Sequence, residues 1–120
     1  RTGDRLASVL QTASVRDAVI AMTKVQAGAV AVTDEHHHLA GLFTDGDLRR
    51  YLASGATDFQ TRPVADLMTK NPFSVRSGRL AADALSIFQQ HRFDDLVVLN
   101  EDGTLAGMID LQDLPKFKIL

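Results

Sequence analysis

Leu39-Ala40-Gly41-Leu42-Phe43-Thr44-Asp45-Gly46-Asp47-Leu48-Arg49-Arg50 has an echo further along the chain, Leu105-Ala106-Gly107-Met108-Ile109-Asp110-Leu111-Gln112-Asp113-Leu114. Leu39 falls on Leu105, an offset of 66. Working outward at that offset, Asp17, Ala18, Val32, Glu35, Leu39, Ala40, Gly41, Asp47 and Leu48 each meet an identical residue, nine matches in the 34 positions from Asp17 to Arg50. Conservative pairs such as Met22 with Phe88 and Leu42 with Met108 add to them. Average composition gives about two identities by chance. One unit of roughly 55 residues is therefore present twice, and self-similarity of this kind takes precedence over any single element. A unit that short buries its own faces poorly, so the two copies are expected to pack on each other.

Both copies share a rhythm. Val15, Ala18, Val19, Met22 and Val25 have the spacing of one helical face, as do Leu80, Ala84, Ile87, Phe88 and His91. Short apolar runs follow, Ala29-Val30-Ala31-Val32 and Leu96-Val97-Val98-Leu99, which predict buried strands. Polar turns over residues 33–38 and 100–104 lead into second strands at Leu39–Phe43 and Leu105–Ile109, so each copy contains a β-hairpin. A second helix is expected to start near Asp45 and near Leu111. Phe73-Ser74-Val75 reads as the short leading strand of the second copy. Thr61-Arg62-Pro63 reads as the joint, because proline resists helix continuation, and it divides the chain into copies spanning 1–60 and 61–120. Each copy is β-α-β-β-α, and the fold class is α/β without a long parallel sheet.

Composition narrows the function. The chain has 120 residues, of which 45% are hydrophobic and 23% charged, values of a folded domain with a real core. Thirteen Lys and Arg against fifteen Asp and Glu leave a net charge of −2, which argues against bulk electrostatic binding of nucleic acid. With no cysteine, disulfide staples, thiolate zinc sites and cysteine nucleophiles are excluded. No apolar run approaches the roughly 20 residues that span a bilayer, and no signal peptide opens the chain. The first residue is Arg1 rather than Met, so the expectation is a segment of a longer, cytoplasmic protein.

The densest chemistry lies where the first hairpin ends. Thr44 and Asp47 have the spacing of a capping box, with Asp in place of the usual Glu or Gln. One reading is local: Thr44 caps a helix and Asp47 favours its positive end. The other is functional. Free backbone N–H groups at a helix start attract oxyanions, a carboxylate accepts two hydrogen bonds from a ribose diol, and Thr44 reaches a phosphate or hydroxyl. Arg49 and Arg50 either supply positive charge to that phosphate or form a solvated helix face.

The repeat together with the G-h-h-T-x-x-D pattern of Gly41–Asp47, h being apolar, resembles the cystathionine-β-synthase-type (CBS) domain pair from about Leu6 to Leu114. Val64-Ala65-Asp66-Leu67-Met68-Thr69-Lys70-Asn71-Pro72 is similar to the D-h-M-T-x-x-P approach to a second CBS motif. The string Thr44–Arg50, with Val75-Arg76-Ser77-Gly78 and Leu80–Leu85, resembles the arabinose-5-phosphate isomerase family, whose C-terminal half is a CBS pair behind a sugar-isomerase domain. The resemblance implies two repeats packed by pseudo-twofold symmetry. It implies a non-catalytic fragment of a parent aldose-ketose isomerase that interconverts ribulose 5-phosphate and arabinose 5-phosphate for Kdo and lipopolysaccharide. It also implies a regulatory ligand, AMP or ATP, CMP or CMP-Kdo, with no cofactor required. The partners it implies are that small molecule and a second copy in a homodimer, with a tetramer for the parent; neither nucleic acid nor membrane is expected. Thr44 and Asp47 match the family's ribose-contacting positions. The second copy keeps Asp113 but has Asp110 where Thr or Ser is expected, and a carboxylate there repels phosphate.

Other positions carry two readings each. His36-His37-His38 reads as a polar hairpin tip or adventitious metal binder; three consecutive histidines on a turn do not converge on one centre. His91 packs on the core or ends its helix. Asp94-Asp95 form a solvated loop or, on the resemblance, a cleft wall in which Asp95 receives a base or sugar hydrogen bond. Gly28-Ala29 leave room for a base against the backbone. Thr69 and Asn71 line the second copy's cleft, or Thr69 caps a turn before Pro72. Phe59, Phe73 and Phe117 are read as core or interface. Asp45 beside Asp47 lacks a second catalytic element, so a hydrolase reading is disfavoured. The expected ligand-binding set is Thr44, Asp47, Ala29, Arg49, Arg50, Thr69, Asp95 and Asp113, with no catalytic and no metal-ligating residues. Against this sensor stands a module that only pairs subunits, without a ligand.

Overall fold

The computed structural model describes residues 7–90 and 95–110. The chain divides into two compact units on either side of the bond between Pro72 and Phe73. In the first, β1 (Ser8–Leu10), α1 (Val15–Val25), β2 (Ala29–Thr33), β3 (Leu39–Thr44), α2 (Asp45–Ala53), a 3-10 turn (Val64–Asp66) and β4 (Thr69–Lys70) follow in order. In the second, β5 (Ser74–Arg76), α3 (Ser77–Gln90), β6 (Asp95–Leu99) and β7 (Leu105–Asp110) follow. The second helix expected near Leu111, His91, Asp94, Asp113 and Phe117 lie outside the described residues.

Sequence dictates these elements locally. Ser14 caps α1, its hydroxyl accepting the Asp17 N–H at 3.1 Å, and Asp17 lies in the positive first turn. The helix stops at Gln26, which takes a left-handed φ of 55°. Its inner face buries Val15, Ala18 and Met22. All five residues of β2 are buried, as a continuous apolar run predicts. The hairpin turn is organised by Asp34, whose carboxylate accepts the N–H groups of His36 (2.8 Å) and His38 (3.0 Å). The three histidines therefore stand exposed at a hairpin tip.

The sheet of the first unit runs β1-β2-β3-β4, and that of the second β5-β6-β7. The strand pairings repeat residue for residue. Val30 pairs with Phe43 as Leu96 pairs with Ile109, and Ser8 pairs with Ala31 in parallel as Ser74 pairs with Val97. Even the register shift recurs, between Val32 and Thr33 and between Val98 and Leu99.

The first core gathers Val15, Ala18, Met22, Val30, Val32, Phe43, Tyr51 and Val64, with Phe59, Leu67 and Met68 packed on it. The chain after Pro63, which opens the second copy by sequence, thus completes the core and sheet of the first unit. β4 pairs with β3 through Gly41 with Lys70 and Leu42 with Thr69. Gly41 makes this possible: a Cβ there would lie 2.5 Å from Met68 Sδ and 2.8 Å from the Thr69 carbonyl oxygen. Among the described residues of the second unit, Val75, Ile87 and Leu96 form a core cluster flanked by Phe73, Leu80 and Ile109.

Candidate functional site

The site grows from the junction of β3 and α2. Thr44 ends the strand in extended conformation and is the N-cap of the helix. Its hydroxyl accepts the Asp47 N–H at 3.2 Å, and Asp47 returns a carboxylate oxygen to the Thr44 N–H at 3.0 Å, so the capping box is closed. Asp47 is only 5% exposed. A buried carboxylate must be compensated, and this one is. Its Oδ2 accepts from the Thr44 N–H, from the Thr44 hydroxyl (3.1 Å) and from the Thr69 hydroxyl (3.1 Å). Its Oδ1 receives the Arg50 guanidinium and lies 3.2 Å from the same Thr69 hydroxyl. A carboxylate offers about four lone-pair positions, and this set fills them. Asp47 thereby joins strand end, helix start and β4.

Of the expected ligand residues, Thr44, Asp47, Arg50 and Thr69 meet at one point. By sequence, Thr69 belongs to the second copy's cleft or to a turn cap before Pro72. The pairing of Leu42 with Thr69 instead carries its hydroxyl to Asp47 of the first copy. Ala29 is fully buried and pairs with Thr44 across the β2–β3 ladder. Arg49, exposed on α2, does not join the cluster. Asp95 starts β6, where its backbone pairs with Asp110, the counterpart of the Ala29–Thr44 pair. Asp113 lies outside the described residues.

One group was not anticipated. Behind the cluster, Asp47, Arg50, Tyr51, Ser54, Arg62 and Asp66 line a cavity of about 310 Å³. Buried Tyr51 donates its hydroxyl to Asp58 at 2.7 Å, Arg62 pairs with Asp58 at 2.8 Å, and it also reaches Asp66 at 3.4 Å. The Tyr51 hydrogen bond, with the Arg62 charge behind it, holds the Asp58 carboxyl below its ordinary value. Burial, then Asp58, pushes the Tyr51 phenol up. The two carboxylates hold Arg62 more firmly protonated, Asp58 first. The one sequence signal was the four-residue spacing of Asp58, Arg62 and Asp66, which has no meaning until the segment is known to fold back on α2.

Among the described residues no three His, Asp or Glu converge as metal ligands, and no helix is long and apolar enough to cross a membrane. The recess thus brings together hydroxyls, the Asp47 and Asp66 carboxylates and the Arg50 and Arg62 guanidiniums, with Ala56 and Leu67 beside them.

Comparison with known proteins adds the lineage. Arabinose 5-phosphate isomerase GutQ of Salmonella typhimurium is 39% identical over 113 residues, 94% of this chain and 35% of that protein. Arabinose 5-phosphate isomerase KdsD of Escherichia coli K12 is 37% identical over 113 residues, 94% of this chain and 34% of that protein. The chain thus spans about a third of the length of these curated relatives. Among solved structures, CBSX2 in complex with AMP superposes with a TM-score of 0.73 at 26% identity, over 97% of this chain and 89% of the other. The family model described as "CBS domain" matches twice, at residues 4–54 and 64–117, and the chain belongs to that family as a tandem CBS domain pair.

Proposed function

We propose that this chain is the regulatory module of a sugar-phosphate isomerase and binds a phosphorylated nucleoside or sugar nucleotide. The observation that carries the reading is the Asp47 cluster: a buried carboxylate ringed by the Thr44 and Thr69 hydroxyls and Arg50, beside a cavity of mixed lining. A ribose diol matches the carboxylate, and a phosphate matches the guanidinium. CBSX2, at 26% identity, is a protein crystallised with AMP, which supports an adenosine nucleotide as the ligand class. The identity to GutQ and KdsD supports an arabinose 5-phosphate isomerase as the parent, acting on ribulose 5-phosphate in the supply of Kdo. Catalysis then belongs to the part of the parent that this chain does not span. Ligand binding regulates that part only if the two conformations of the parent differ in ligand affinity.

Calorimetry of the chain with AMP, ATP, CMP and CMP-Kdo tests the reading. At least one is expected to bind below millimolar strength, and Asp47→Asn is expected to weaken it at least tenfold (about 1.4 kcal/mol). Absence of binding by all four would remove the sensor.

One observation favours a second reading, a module that pairs subunits without a ligand: every acceptor position of Asp47 is filled internally. Light scattering separates the two. The second reading expects a dimer whose stability AMP leaves untouched, while the first expects a ligand-dependent shift.

A further inference from the structure

We infer that Arg50 is a specificity gate: it occupies the acceptor of Asp47 that a ligand diol needs, and it yields only to a ligand that also brings an anion. The inference rests on the proposed ligand-binding role of the Asp47 cluster. The partners of Asp47 are not equal in what holds them. Thr44 is the helix cap, and removing it from Asp47 opens the first turn of α2. Thr69 is fixed by the pairing of β4 with β3. Arg50 hangs on neither: its side chain is 73% exposed, against 4% for Asp47, and its contact with Asp47 is an ion pair three residues along the helix. The exposed guanidinium is therefore the partner of Asp47 that the fold fixes least.

A neutral diol that displaces Arg50 restores the hydrogen bonds of Asp47 but leaves the buried carboxylate without its cation. A diol carrying a phosphate lets Arg50 swing from Asp47 to the phosphate and stay in the same recess, which it lines together with Ser54, Arg62 and the Asp66 carboxylate that Arg62 pairs with. The planar guanidinium suits that exchange, since it presents the same two-donor edge to carboxylate or phosphate. Arg50 therefore excludes nucleosides and admits nucleotides, and the selection operates at the diol subsite.

Calorimetry with AMP and adenosine on the wild-type chain, Arg50→Ala and Arg50→Lys tests this. Arg79→Ala, in the second unit, removes the same charge and serves as the control. Arg50→Ala is expected to bind adenosine about fivefold more tightly and AMP about tenfold more weakly, so the preference for AMP collapses. Arg50→Lys is expected to fall between, keeping the charge and losing the fork. An AMP preference that survives Arg50→Ala overturns the gate and leaves the sensor reading intact. Binding of neither compound to any variant overturns the gate, the sensor being judged separately by CMP, CMP-Kdo and ATP on the wild-type chain, and adenosine bound by Arg50→Ala alone supports the gate.

Discussion

The two halves share the strand register of their hairpins and differ at their junctions. Five cross-strand pairs of the β2–β3 hairpin recur in β6–β7 at the offset of the repeat, including the shared irregularity. Apolar alternation and strand pairing have thus been kept, while the residues at strand ends have diverged. Where the first half sets Ala29 opposite Thr44, the second sets Asp95 opposite Asp110. Register is a property of the buried faces; chemistry is a property of the few positions at the rim. The helix starts teach the same lesson. Ser14 caps α1, but its counterpart is Leu80, which offers no acceptor. The second half begins α3 earlier, at Ser77, where Glu101 accepts the Gly78 N–H at 2.8 Å and the Ser77 hydroxyl at 3.2 Å. Backbone angles turn non-helical at Asp83, the counterpart of Asp17 in the first turn of α1.

Mated positions of the two hairpins also differ in burial. Phe43 is fully buried, whereas its mate Ile109 is partly buried against the second cluster. Phe43→Ala is expected to lower unfolding free energy by about 3–5 kcal/mol and Ile109→Ala by about 2, measured by urea denaturation. Equal losses would mean the halves are packed alike.

Asp47→Ala comes next. It removes the capping partner and strips acceptors from the Thr44 N–H, Thr69 and Arg50, for an expected loss of about 2–3 kcal/mol. Asp47→Asn, which keeps an oxygen for the cap, is expected to lose less. A loss below 0.5 kcal/mol in both would show that the cluster is not a structural hub.

The two capping devices sharpen the comparison at a smaller scale. Ser14→Ala and Glu101→Ala are each expected to lower stability by about 1 kcal/mol. Glu35→Ala, the repeat mate of Glu101 at an exposed turn, is expected to change it by less than about 0.5 kcal/mol. A matching loss for Glu35 would mean that the second half has no capping arrangement of its own.

The smallest effect is one of pH. Asp58 titrates below its ordinary value in the folded first unit, mainly through the Tyr51 hydroxyl. Its contribution is complete at neutral pH, begins to fade as pH falls past the unfolded carboxylate value of about 3.9, and is lost below the depressed folded value. Acid titration of the melting temperature is expected to be shallower in Asp58→Asn than in the wild type, and an unchanged acid limb would dissociate Asp58 from Tyr51.

Much of this was legible in the sequence. The repeat predicted both hairpins and their strands because alternation and turn chemistry act locally, and the Thr44–Asp47 spacing predicted a capping box that is present. Phe59 and Phe73 pack on cores, as read. Three things were hidden. Residues 64–70 complete the first unit because Gly41 lets β4 approach, and a glycine's missing side chain does not say what will lie against it. Thr69 reaches Asp47 through strand pairing across 22 residues, which no local pattern encodes. The Tyr51, Asp58 and Arg62 group forms only once the segment after α2 folds back.

The central claim is that the first junction receives a phosphorylated ribosyl ligand. The most direct measurement is a nitrogen–proton correlation spectrum of the labelled chain during titration with AMP. The account expects saturable shifts of the Thr44, Asp47 and Thr69 amides together with the Arg50 side chain. A titration that leaves those four signals in place, while AMP is ten times above the concentration that saturates any other response, would contradict it.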